Sequence, residues 1–200
     1  MKQPRVTSFA AGLLLLATSA FAQFTYTIDP SHSSAEFSVR HMMVSNVRGQ
    51  FAKVTGTVVY DPANPAATKI DASIDASTIS TNNEKRDAHL RSADFFDTAK
   101  YPTITFRSKN AWKADGVLQV QGDLTMHGVT REVVLRVEPP AQEIKDAWGN
   151  VRVGATATTK LNRSNWGLTW NKALEAGGVA VSDEVAVTLD IAAVKQKPAK

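Results

Sequence analysis

The sequence predicts an all-β fold, an eight-stranded antiparallel barrel with one short helix near residues 83–92. Three observations predict it. Apolar and polar residues alternate with period two through most of the chain beyond residue 22. Turn residues punctuate these runs: "DPANPAAT" and "EPPAQEIKDAWGN" carry the Pro, Asn and Gly that tight connections require. Several rows that alternation turns inward use small residues, Ala72, Ala76, Ala155 and Ala157. Many alternating strands must hide their edges, and a closed up-and-down barrel does so while leaving room for one small ligand. A β-sandwich is the alternative that alternation leaves open. A sandwich core of alanine would be underpacked, whereas an inward face of small residues reserves space, unless the opposite face supplies the bulk.

Eight or nine strands follow in order. "FTYTID" sets Phe24, Tyr26 and Ile28 on one face, and "SAEFSVRH" sets Ala35, Phe37 and Val39 on one face, with His41 keeping their parity. "FAKVTGTVVYD" is β-rich, with Gly56 marking a bend or bulge. "KIDASIDAS" aligns Ile70, Ala72, Ile74 and Ala76. "TITFRS", introduced by Tyr101-Pro102, aligns Ile104 and Phe106. "GVLQVQGDLTM" aligns Leu118, Val120, Leu124 and Met126, and "REVVLRVE" aligns Val133, Leu135 and Val137. "VRVGATATTKL" and "EVAVTLDIAAV" complete the set. The exception is "TNNEKRDAHLRSADFF", where helix formers predict the helix at 83–92, with Thr81 or Asn82 as N-cap.

The first 22 residues read as a signal peptide. Lys2 and Arg5 precede an apolar stretch, Phe9 to Ala17, too short for a comfortable membrane span, and Ala20-Phe21-Ala22 suits a signal peptidase. The barrel is expected over 23–194, and 195–200 as a basic, flexible tail. Without Lys2 and Arg5 the charges come to 21 basic and 19 acidic, so the mature chain is close to neutral. It has no basic stripe with interleaved aromatics, which argues against nucleic acid, and no second long apolar run, which argues against a span in the mature form. The absence of cysteine excludes disulfides, thiolate metal sites, a cysteine nucleophile and a lipidated cysteine. The sequence allows a homodimer without requiring one.

Five motifs carry a resemblance: "DPSHSSAEFSVRHMMVSNVRGQF", "RDAHLRSADFFD", "YPTITFRS", "GDLTMHGVTREVVL", and "LNRSNWGLTWN" followed by "GGVAVSDEVAVTLDIAAVK". In this order, from about Tyr26 to Lys195, the chain resembles the YceI-like family. The resemblance implies a lipocalin-like barrel whose long pore holds a polyisoprenoid, an isoprenoid quinone or another long amphiphile. It also implies a periplasmic location and no catalytic reaction. Trp166 stands where a smaller aromatic is common in that family, and Ser182 where Gly is common.

The expected ligand-binding wall comprises Phe37, Val39, His41, Phe51, Phe106, Leu124, Leu135, Val153, Trp166 and Trp170. Alternation would place Trp166, Leu168 and Trp170 together as an aromatic plug or lining, and Phe95 and Phe96 would close or gate one barrel end. His41 either reaches the rim or meets a ligand head group in the wall. His32, His89 and His127 sit beside turns or caps where a ring nitrogen can satisfy a buried backbone group. Asp87, Asp94 and Asp97 near His89 read as capping carboxylates paired with Arg86 and Arg91. The alternative function is a metal-assisted enzyme using His and Asp at the rim. The histidine spacing gives no zinc signature, and no GxSxG elbow, phosphate loop or HExxH is present. No metal and no cofactor beyond a bound isoprenoid or quinone is expected.

Overall fold

A computed structural model of the chain describes residues 24–175 and 177–197; the expected signal peptide lies outside the described residues. Eleven strands and one α-helix follow in order: β1 (Phe24–Ile28), β2 (Ser34–His41), β3 (Ser45–Phe51), β4 (Val54–Tyr60), β5 (Lys69–Asp75), α1 (Glu84–Arg91), β6 (Thr103–Ala114), β7 (Val117–Met126), β8 (Val129–Val137), β9 (Ile144–Lys145), β10 (Val151–Asn162) and β11 (Val181–Lys195). No helix among the described residues is long and apolar enough to cross a membrane.

Eight strands close a ring in the order β11–β1–β4–β5–β6–β7–β8–β10 and back to β11, all antiparallel. The β2–β3 hairpin lengthens two of these staves. The long β11 pairs with β1 through Ala193–Lys195 and with β2 through Val181–Asp190, so β1 and β2 behave as one interrupted stave. β3 and β4 form the next one, broken at Ala52-Lys53. At the first break the Ser33 hydroxyl both donates to the Ala192 carbonyl (3.1 Å) and accepts from the Ala192 amide (3.0 Å), replacing the absent backbone partner. Thr78 does the same for Ala52, at 3.0 Å in each direction.

Sequence and structure differ locally for physical reasons. "SNVRGQF" forms β3 although no apolar alternation marks it, because most of that strand is exposed on both faces. β6 runs on to Ala114; a bulge between Ser108 and Asn110 shifts the inward parity from Ile104 and Phe106 to Ala111. The helix is capped by Asn83, whose side chain accepts from the Arg86 amide at 3.0 Å, not by Thr81 or Asn82. Ala76 lies in a 3₁₀ turn after β5 and is buried there. Strand β6 begins at Thr103, after Tyr101-Pro102. Lys195 and Gln196, expected in the tail, are bound to the sheet: Lys195 ends β11, and the Gln196 amide donates to Thr25 O at 2.7 Å.

One barrel end, called upper here, carries the turn at 42–44, the α1 segment 76–102, the turn at 127–128 and the loop 163–180. The lower end carries the turns at 61–68 and 115–116 and the loop 138–150. One core cluster, with Ile28, Phe51, Ile104, Met126, Trp166 and Leu168, fills the upper part, and a second, with Phe106, Leu118, Val120, Leu135 and Ala157, lies around β6, β7, β8 and β10. The 138–150 loop is pinned by Arg152, which donates to Asp29 at 2.7 Å and to Asp146 at 2.8 Å.

Gly56 has φ +138°, and an added Cβ would lie 2.1 Å from the Asp71 carbonyl oxygen across the β4–β5 ladder. Gly56→Ala is expected to cost about 2 kcal/mol or more, read as a lower urea-unfolding midpoint. The Arg152 hydrogen bond holds Asp146 down at about 2, against an ordinary 3.8, and the same guanidinium with His32 depresses Asp29. Depressed carboxylates add stability above their unfolded pKa and lose it as pH falls through the folded one. The thermal midpoint is therefore expected to fall between pH 3.8 and about 2, and less steeply in Arg152→Met, as pH-dependent melting would show.

Candidate functional site: an apolar lumen

Inward residues of all eight staves enclose a cavity of about 280 Å³ whose wall is almost wholly apolar. It extends from Tyr26, Tyr60 and Pro140 near the lower end to Leu90, Phe96 and Leu168 near the upper end. Ala72, Ala155 and Ala157 lie on the wall, so the small inward rows border open space. Of the expected wall, Phe37, Val39, Phe51, Phe106, Leu124, Leu135 and Val153 line the cavity.

Three expected wall residues lie elsewhere. His41 ends β2 opposite Val181 and Ser45 and is half-buried at the rim; β11 carries a bulge between Val181 and Val185, opposite Val39–His41, and β2 lines the cavity only as far as Val39. Trp166 and Trp170 do not share a strand face, because residues 163–166 form a 3₁₀ turn ended by Gly167 in a left-handed conformation. Trp166 is fully buried in the upper core, its Nε1 donating to Leu124 O at 3.2 Å. Trp170 packs edge-on against His89 (4.9 Å between centroids) and beside Phe95 (5.2 Å). Leu168, Phe95 and Phe96 do reach the cavity.

Sequence reasoning passed over the most constrained polar group on the wall. Arg163 is 5% exposed, and every guanidinium N–H is spoken for. Nε donates to Ser182 O (3.0 Å), Nη1 to Leu168 O and to Trp170 O (2.9 Å), and Nη2 to Val181 O (3.4 Å) and the Asp183 carboxylate (3.1 Å). Burial lowers its pKa and the Asp183 charge opposes that, but arginine stays protonated. Arg163 therefore ties both ends of the 163–180 loop together and has no donor left for a ligand. The LNR-S-N-W motif marks the position, but no local pattern signals that four carbonyls, from Leu168 and Trp170 just after it and from Val181 and Ser182 across the loop, converge on it.

The lower end is polar only at its margin. The Tyr26 hydroxyl donates to Glu143, and burial and that carboxylate raise its pKa. Lys195 bonds Glu143 at 2.9 Å and lies over the Phe24 ring. The hydrogen bonds from Tyr26 and Lys195 depress Glu143. Tyr60 also lines the cavity; burial, and then the charge of Asp61, raise its pKa, so its hydroxyl is a neutral donor. It has no hydrogen-bond partner among the described residues. Asp61 is buried beside it, with Oδ1 accepting from the Ala63 amide at 2.8 Å and Oδ2 unpartnered.

Of the other histidines, only His127 meets a backbone group as expected; His89 and His32 instead pair with carboxylates at partly or largely exposed turns. His127 Nδ1 meets Trp166 O at 2.9 Å, His89 Nε2 meets Asp94 at 2.8 Å, and His32 Nδ1 meets Asp29 at 2.8 Å. Asp87 accepts from the Thr81 amide at 2.8 Å; burial alone would raise its pKa, and the Thr81 and Asn83 hydrogen bonds bring it below normal. Arg86 and Arg91 do not pair with these carboxylates but donate to the Thr81 and Ile79 carbonyls. Among the described residues no group of three or more His, Cys, Asp or Glu is placed to hold a metal ion.

The sequence model of the YceI-like domain matches residues 26–193. Protein YceI of Escherichia coli O157:H7 is 36% identical over 199 residues, covering 98% of this chain and 100% of its own. The crystal structure of Burkholderia cenocepacia BcnA superposes with a TM-score of 0.71 at 23% identity, over 82% of this chain and 98% of its own. A polyisoprenoid-binding domain from Saccharophagus degradans superposes with a TM-score of 0.59 at 16% identity, over 86% and 98%.

Arg163→Met would leave the loop carbonyls and Asp183 without their buried cation. A loss of about 3–5 kcal/mol is expected in chemical unfolding, and Arg163→Lys is expected to recover only part of it, because an ammonium cannot span the planar fork.

Proposed function

The chain belongs to the YceI-like family, and from that premise we propose that it binds a long-chain isoprenoid lipid in the barrel lumen. The carrying observation is the continuous apolar wall, widened by alanine rows, that runs between the two barrel ends. Each CH₂ withdrawn from water contributes about 0.8 kcal/mol before ordering costs, so a long tail gains affinity with few specific contacts. The polyisoprenoid-binding domain that shares this fold supports an isoprenoid as the occupant.

The electrostatics favour an uncharged head group inside the lumen. Among the described residues, the buried cation on the wall, Arg163, has its donors committed, and Lys195 is paired with Glu143. A buried phosphate would meet no free cation, at a cost far above that of a neutral carbonyl or hydroxyl. Tyr60, beside the buried Asp61 carboxylate, and Thr159 are lining residues whose neutral hydroxyls have no partner among the described residues. An isoprenoid quinone or alcohol fits this arrangement better than an isoprenoid phosphate. The expected signal peptide supports a periplasmic role as carrier, store or stress protein for such a lipid.

Native mass spectrometry of protein purified without detergent, with solvent extraction of the same sample, tests the reading. An extractable organic mass is expected; an apo mass or a metal adduct would overturn it. Ala155→Phe would place a ring in the lumen beside the β10–β11 ladder. It is expected to weaken binding of a long-chain prenol by about ten-fold or more while circular dichroism and melting stay near wild type.

A further inference from the structure

The seams of the barrel are not equally closed. β7 and β8 pair from Leu118–Val137 to Met126–Val129, and β10 and β11 from Arg152–Val194 to Asn162–Glu184. Between β8 and β10 the ladder holds only at Val137–Ala157 and Arg136–Thr158. Toward the lower end the seam continues through Glu138 N to Thr156 O and Ala141 N to Gly154 O, both 2.9 Å. Toward the upper end it stops. Extending the register would oppose Leu135 to Thr159, Val134 to Lys160 and Val133 to Leu161, and none of these pairs forms. Neither strand is frayed there. Val133, Val134 and Leu135 remain paired to β7, and Thr159, Lys160 and Leu161 to β11.

The opening is bounded above as well. Arg131 Nε donates to Asn165 O at 3.2 Å, and His127 Nδ1 meets Trp166 O at 2.9 Å, so the 163–166 turn bridges from β10 to the β7–β8 turn. The gap is thus a framed slot. Its inner edges, Val133 and Leu135 on one side and Thr159 and Leu161 on the other, line the lumen, and Val134 is 38% exposed outside it.

We propose that this slot is a lateral window through which the apolar chain of the ligand enters and leaves the lumen sideways. The proposal rests on the lipid-binding reading above. The ends offer costlier routes. The upper end is covered by Phe95, Phe96 and Leu168 and locked by the Arg163 hydrogen bonds. The lower end is crossed by the 138–150 loop, tied by Tyr26–Glu143–Lys195 and by Arg152–Asp146. Opening either breaks several charge-assisted hydrogen bonds, whereas parting the slot breaks no backbone pair and displaces apolar side chains whose contacts a lipid chain would replace.

The chain has no cysteine, so Val134→Cys with Lys160→Cys places a unique thiol pair on the outer edges of the slot. Joined by a short, reductively cleavable bis-thiol reagent, this variant is expected to take up a fluorescent long-chain prenol from phosphatidylcholine vesicles about ten-fold more slowly than in its reduced form. Reduction restores the rate, and the amount bound at equilibrium stays the same. The control pair Thr158→Cys with Thr188→Cys, register partners in the intact β10–β11 ladder, is expected to show no slowing when cross-linked. Equal uptake rates in the cross-linked and reduced slot variant would overturn the window and leave lipid binding standing. Failure of the reduced variant and the wild type alike to take up the prenol would overturn the lipid-binding reading and the window with it.

Discussion

The backbone ladder around the barrel is the interaction on which the rest depends. Side chains meet at the upper cap and along the wall, but an open lumen between them leaves the sheet to hold itself round. At three interruptions of the ladder a hydroxyl stands in. Ser33 serves the β1–β2 break and Thr78 the β3–β4 break, and at the β6 bulge the Ser108 hydroxyl accepts from the Ile70 amide at 2.7 Å. These substitutions follow from the cost of leaving a buried amide or carbonyl unpaired. The β8–β10 slot differs from all of them, because no side chain replaces the missing pairs at residues 133–135 and 159–161. The exception falls where both edges face the lumen.

The second organising feature is where charge is allowed. Fixed charges are spent on closing the ends, and the wall between is left apolar. Arg163 gathers the carbonyls of a loop that would otherwise bury them unsatisfied. Arg152 and Lys195 each engage carboxylates at the margin of the lower end. For the proposed lipid, a lumen built this way would set affinity by chain length and selectivity by a few uncommitted groups, of which the Tyr60 hydroxyl is one.

Much of the site was legible because a strand's period is two. Phe106, Leu124, Leu135 and Val153 could be assigned to the wall by counting, since each keeps the parity of an inward neighbour two residues before it or after it, Ile104, Met126, Val133 and Ala155. Counting failed where parity breaks. His41 lies beside a bulge in a strand about 140 residues away in sequence. Ala111 became inward only through the Ser108–Asn110 bulge. β3 was hidden because its exposed residues have no reason to alternate.

By itself the sequence determined the all-β class, the inward parity of most strands, the helix within one residue at each end, and the family resemblance. Each of these rests on local periodicity or on motifs contiguous in the chain. Tertiary structure decided that residues 163–166 turn inward as a 3₁₀ turn rather than continue a strand, that Arg163 is saturated by carbonyls from both ends of the 163–180 loop, and that β8 and β10 part above Arg136 and Thr158. The last two depend on how separate strands and the loop between them are set against one another when the sheet closes. Hydrogen-bond partners across a seam leave no trace in the period of either strand.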